Sequence, residues 1–178
     1  MKMIKNDNTM KKITVLLATF FASTALFSQT ADSTKKKSLI ELSPSIGVGL
    51  VRHTFAPTIH VNLFYTHKDS WRVGLNSSSY FFFEPTLKAD NTKDYKMYVN
   101  TFINGEFLVH GLFDNTNAAP QDWNGMGIGY LIGKSGDYFT SSTAKVYYIS
   151  KFKHITIMPE IIFTNDFKTI FPGVTIRL

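Results

Sequence analysis

The sequence predicts an all-β chain closed into an eight-stranded antiparallel up-and-down barrel, and three observations lead there. Beyond Lys37, eight segments alternate apolar residues with polar or small ones, the period of a strand whose two faces meet different surroundings. No window of that region repeats its apolar residues every 3.6 positions, as a packed helix would. The polar half of the alternation mixes charges of both signs with glycine, serine and asparagine, a set small enough to fill a narrow lumen.

In chain order, the first segment sets Ile40, Leu42, Ile46, Val48 and Leu50 against Glu41, Ser43, Ser45, Gly47 and Gly49. The second sets Ile59, Val61, Leu63 and Tyr65 against His60, Asn62 and Thr66, with Phe64 breaking the pattern. Trp71, Val73 and Leu75 oppose Arg72, Gly74 and Asn76 in the third. The fourth and longest opposes Met97, Val99, Ile103, Phe107 and Val109 to Asn100, Asn104, Glu106 and His110. In the fifth, Met126, Ile128, Tyr130 and Ile132 alternate with Gly125, Gly127, Gly129 and Gly133. The sixth, around residues 144–151, alternates poorly. Ile155, Ile157, Ile161 and Phe163 oppose Thr156, Glu160 and Thr164 in the seventh, and Val174, Ile176 and Leu178 oppose Gly173, Thr175 and Arg177 in the eighth.

The connections predict which end is which. Residues 67–70 and 151–154 read as tight turns on the side of the termini, and 84–93 and 134–143 as long polar loops on the other. Short turns at one end and long loops at the other are the asymmetry of outer-membrane barrels. Residues 112–121 are long where a short turn is expected, and 164–168 short where a long loop is expected.

The N-terminus adds a destination. Met10-Lys11-Lys12 leads into the uncharged run Ile13 to Phe27, followed by small residues and a polar segment, the order of an export signal. The run is too short to span a bilayer, which takes roughly 20 apolar residues as a helix. Residues 1–28 are therefore expected to be removed, after Ala25 or after Ser28, with Met1 or Met10 as initiator. Residues 29–37 form a flexible Lys-rich segment ending in Lys35-Lys36-Lys37, read as a solvated tail, and 38–178 the barrel domain. Losing Lys2, Lys5, Lys11, Lys12 and Asp7 lowers the formal charge from +6 to +3, and nucleic-acid binding has no other support. The absence of cysteine excludes disulfides and a lipid-modified N-terminal cysteine.

Alternation alone leaves two barrels open. A soluble exported lipocalin-like carrier turns its apolar parity inward around a ligand; a transmembrane barrel turns it toward lipid. The polar parity carries Glu41, Arg72, Glu106, Glu160 and Arg177, opposite charges suited to pairing within a lumen, so the expectation is a transmembrane barrel with those five as its polar network. Tyr65 and Trp71 are the expected interfacial aromatics. The final residues Val174, Ile176 and Leu178 give an every-second-residue apolar ending, and on that pattern residues 38–178 resemble the small eight-stranded outer-membrane barrels, the family of the OmpA transmembrane domain, OmpX and OmpW. The resemblance implies a place in the outer membrane of a bacterium with two membranes, contact with its lipid, and recognition of the last strand by the barrel-assembly machinery. That ending usually closes on an aromatic residue; here it closes on Leu178.

Candidate chemistry is sparse. The glycines at 125, 127 and 129 lack the third glycine and following helix of a nucleotide loop, because Tyr130 stands there; they are expected to make room for facing side chains. His53, His60, His67, His110 and His154 are scattered without metal-ligand spacing, so no cofactor or metal is expected. The one enzyme reading is acyl transfer or lipid remodelling, with His60 as base beside Ser45 or Ser43 and Glu41; lumen hydrogen bonding is the simpler account. The favoured reading is a structural or surface-interaction protein without an open pore, whose partners would meet loops based on Phe81, Phe82, Phe83, Tyr138 and Phe139.

Overall fold

The computed structural model describes residues 38–87, 93–111, 123–140, 142–152 and 154–178. The expected signal, the Lys-rich segment and the 112–121 connection lie outside the described residues. Eight strands follow: β1 (Leu39–Val51), β2 (Thr54–His67), β3 (Trp71–Leu87), β4 (Lys93–His110), β5 (Trp123–Gly133), β6 (Ala144–Phe152), β7 (Ile155–Thr164) and β8 (Thr169–Arg177). Each pairs antiparallel with its neighbour in sequence, and β1 pairs with β8 to close the barrel; no helix occurs among the described residues.

The alternation decides what each strand buries. In β2, Ala56, Thr58, His60, Asn62, Phe64 and Thr66 are buried, and Phe55, Ile59, Leu63 and Tyr65 are exposed. Phe64, the apparent exception, keeps register by pointing inward, and Phe171 does the same in β8. One expectation is corrected. The segment 84–93 is not a long loop: β3 runs on to Leu87 and β4 opens at Lys93, with Glu84 opposite Lys96 and Leu87 opposite Lys93. The alternation was hidden there because Tyr80 and Phe82 line the interior while Phe81 and Phe83 face out, and because Ser79 and Thr101 pair by their hydroxyls at 2.9 Å on the outer wall.

Closure fixes the stagger. Following directly opposed residues from Glu41 through Phe64, Gly74, Glu106, Gly127, Tyr147, Glu160 and Gly173 returns to β1 at Val51, ten residues beyond the start. Ten residues of about 3.3 Å set against eight spacings of about 4.8 Å tilt the strands by about 40°. Gly74, Gly127 and Gly173 stand between larger residues around this ring and make room for them. A Cβ on Gly74 would lie 2.4 Å from the Phe64 ring, one on Gly127 2.3 Å from the Tyr147 ring, and one on Gly129 2.1 Å from the Asn104 amide.

The prolines mark where backbone ladders end. Leu178 N–H donates to the Ile46 carbonyl at 2.9 Å, so even-numbered residues of β1 direct their backbone groups toward β8 and odd-numbered ones toward β2. Carried round the antiparallel ladders, this rule aims Pro57 at β3 just past the Thr58–Tyr80 pair, and Pro172 at β1 just past Val51–Gly173. Pro159 is aimed at Tyr148, and there the β6–β7 ladder is interrupted between Tyr147–Glu160 and Ser150–Ile157. Proline has no N–H to donate, so Pro57 and Pro172 cost nothing past the ends of their ladders, whereas Pro159 breaks the β6–β7 ladder in its middle. At the β2–β3 turn, Lys68 and Asp69 both take positive φ, 45° and 56°, and Ser70 N–H reaches the His67 carbonyl at 2.9 Å, closing a three-residue connection between the paired His67 and Trp71.

Two glycine substitutions test this packing. Gly127→Ala drives a methyl into the Tyr147 ring and should destabilise the barrel by about 1–3 kcal/mol in denaturant unfolding. At Gly105, which faces outward with nothing within 4 Å of an added Cβ, alanine should change stability by no more than about 0.5 kcal/mol.

Candidate functional site

The interior is filled in layers. At the end away from the termini, Val51, Ala56, Tyr80, Phe82, Phe102, Leu131, Phe139, Ile162 and Phe171 form one apolar cluster, with Tyr98 and Tyr138 packed against it. The 134–143 connection supplies its plug: Tyr138 stacks on Phe82 with centroids 3.8 Å apart, its hydroxyl donates to the Val51 carbonyl at 2.5 Å, and Phe139 stands edge-on to Phe82 and Phe102. Arg52 covers this plug, its guanidinium 4.2 Å from the Phe171 ring centroid.

Below lies a charged layer. Lys145 Nζ donates to Glu160 at 3.0 Å and to the Tyr80 hydroxyl at 2.7 Å, and the Thr175 hydroxyl donates to the same carboxylate at 3.2 Å. Both ionised side chains are 3 % exposed. The next charges down are Glu106 and Arg177, 3.7 Å apart, with the Tyr147 hydroxyl donating to Glu106 at 3.0 Å. Arg177 also donates to Asn62 Oδ1 at 2.8 Å, the foot of an amide ladder in which Asn76 donates to Asn62 and Asn104 donates to Asn76 at 2.8 Å.

A second apolar cluster of Phe64, Leu108, Trp123, Tyr147, Ile149 and Met158 packs beside these groups toward the mouth at the end of the termini. There Arg72 lies 4.0 Å from the Trp123 ring centroid and 3.9 Å from Glu41. A polar recess of about 280 Å³ opens at this mouth, lined by Glu41, Ser43, Pro44, Ser45, Asn62, Phe64, Lys151, His154, Thr156, Arg177 and Leu178.

The five charges read from sequence thus face inward but divide among three sites: Glu160 with Lys145, Glu106 with Arg177, and Glu41 with Arg72. Sequence reasoning missed Lys145. Its strand looked irregular because the inward Tyr147 and Ile149 are as apolar as the outward Val146, so only the lysine itself, flanked by Ala144 and Val146, signalled an inward charge. Tyr65 and Trp71 sit side by side on the outer wall, ring centroids 5.9 Å apart.

His60, Ser45 and Glu41 are not brought into one hydrogen-bonded set. His60 Nε2 is 3.0 Å from the Thr58 hydroxyl and the residue is 1 % exposed; Ser45, opposite it in register, receives Asn62 Nδ2 at 3.4 Å. Glu41 lies four residues further down β1, about 13 Å away, beside Arg72. Among the described residues no three metal-ligating side chains gather.

Fold and interior together define a closed eight-stranded barrel with a filled lumen and a shallow polar mouth. No family model, curated protein or solved structure matches the chain.

The charged layer yields a test by substitution. Lys145→Met strands Glu160 in the interior and should cost about 3–5 kcal/mol in denaturant unfolding. Adding Glu160→Gln to it should recover most of that loss, since the uncompensated charge is then gone.

Proposed function

We propose that the protein is an outer-membrane β-barrel with a structural or surface-interaction role and no open pore, its lumen residues serving stability rather than catalysis. The observation that carries this reading is the outer wall. Among the described side chains, the outward positions of the eight strands hold no carboxylate, guanidinium or ammonium. Ile40, Leu42, Ile46, Leu63, Leu75, Phe107, Met126, Ile128, Ile132 and Ile161 are among the side chains it exposes.

Monomeric soluble proteins rarely expose contiguous apolar patches beyond a few hundred Å². From Ile40 to Leu50 the wall rises ten residues, or about 25 Å at a 40° tilt, the height of the apolar band on outer-membrane barrels. Aromatic residues border it at both ends, with Tyr65, Trp71 and Phe107 toward the termini and Phe55, Phe83 and Tyr95 at the far end. A soluble carrier on the same barrel needs the reverse arrangement, apolar walls around a ligand and charges outside. The export-signal pattern of residues 1–28 supports the same destination.

Fractionation tests the reading: the protein should stay with detergent-extracted membrane and shift its gel mobility on heating, and appearance in the soluble envelope fraction would overturn it. Ile128→Arg, at the middle of β5, should cost about 2–4 kcal/mol against lipid, whereas a water-facing position would absorb the change. In a planar bilayer the plugged lumen should give little or no steady conductance.

A further inference from the structure

A patch of the outer wall is polar and hydrogen-bonded. Asn124 on β5 and Tyr148 and Ser150 on β6 lie on the outward parity, with Met126, Ile128, Val146 and Phe152, and all three are half-buried. Asn124 Oδ1 accepts from the Tyr148 hydroxyl at 3.1 Å and from the Ser150 hydroxyl at 3.0 Å. Two donors saturate that oxygen and fix the plane of the amide. Its Nδ2 meets no acceptor among the described residues and keeps its protons to donate.

Position and chemistry select the occupant. Asn124 is the second residue of β5 and lies in one cross-strand row with Val109 and Trp71, so the amide stands at the aromatic border of the wall toward the termini. Next along β5 toward the middle of the wall come Met126, 60 % exposed and opposite Phe107, and then Ile128. A ligand that fits therefore carries acceptor oxygens at the border and hydrocarbon beyond them. Acyl chains alone offer nothing to an amide N–H, and donors left unanswered in hydrocarbon are costly. A second copy of the chain fits less well, because the amide oxygen of its own triad is already taken by two hydroxyls. The ester carbonyls of a phospholipid accept, do not donate, and lie between headgroup and acyl chains, the level at which border aromatics sit. The phosphate lies further out.

We propose that Asn124, oriented by Tyr148 and Ser150, holds a phospholipid on the wall of β5 and β6 by donating to an ester carbonyl, with an acyl chain laid along Met126 and Ile128. The site rests on the reading of the wall as lipid-facing, and adds to it one fixed place where a lipid is bound by a directed hydrogen bond.

The test uses the purified protein in a maltoside detergent, mixed with dioleoyl phosphatidylethanolamine or with its dialkyl ether analogue, which has the same headgroup and chains but no carbonyls. Lipid retention is read by native mass spectrometry. The diester should be retained about threefold or more tightly than the ether, the worth of one hydrogen bond. Asn124→Leu should erase that preference, and Tyr148→Phe, which leaves Ser150 alone to orient the amide, should reduce it. Leu75→Ala, on the outward side of β3, should leave it unchanged. Equal retention of diester and ether by the unaltered protein, or an Asn124→Leu variant that keeps the preference, overturns the proposal; should that variant fail to fold, the diester-to-ether ratio of the unaltered protein still decides. Location is judged separately by fractionation: a protein that stays with the membrane yet retains both lipids alike loses this site and keeps its place in the membrane.

Discussion

The rest of the structure depends on the confinement of ionised side chains to the inside of a narrow closed cylinder. Lys145 and Glu160 are each 3 % exposed, and Glu106 and Arg177 are 5 % and 6 % exposed. Charges this deep persist only when paired and hydrogen-bonded. That requirement locks register, because slipping one strand by one residue turns its entire inward set outward. A domain held by about 5–15 kcal/mol tolerates few such errors at several kcal/mol each.

Filling the cylinder takes contrast in side-chain size. Glycine beside Phe64, Tyr147 and Glu160 lets rings and carboxylates cross a lumen that eight bulky side chains at one level would overfill. The same packing blocks the axis twice with aromatic groups, once at the Phe82–Tyr138–Phe139 plug and once around Trp123. A recess at the mouth is open to a small molecule, with Glu41, Asn62, Lys151, Thr156 and Arg177 in its lining.

The lumen charges were legible as inward-facing but not as pairs. Glu41, Arg72, Glu106, Glu160 and Arg177 stand out because a charge on one parity of an otherwise apolar strand has few places to go. Their partners are far away in sequence: Tyr80 reaches Glu160 across 80 residues, and Arg177 reaches Asn62 across 115. Lys145 escaped notice because β6 carries apolar residues on both faces, Tyr147 and Ile149 inward and Val146 and Phe152 outward, which erased the contrast between them. The catalytic candidates failed to meet for a similar reason. His60 and Ser45 are neighbours in register, but side-chain reach and hydrogen bonding committed them to Thr58 and Asn62.

By itself the sequence determined the number of strands, the two faces of nearly all of them, and the glycine positions that lighten the interior. These follow from a period of two, which each strand carries locally and any stretch of a few residues reveals. The tertiary structure decided the ten-residue stagger, the extension of β3 to Leu87 and of β4 from Lys93, the partners of the buried charges, and the recess beside Lys151. The stagger is the sum of eight registers around a closed ring, and no single strand contains it; only closure brings residues a hundred positions apart to the same height on the axis.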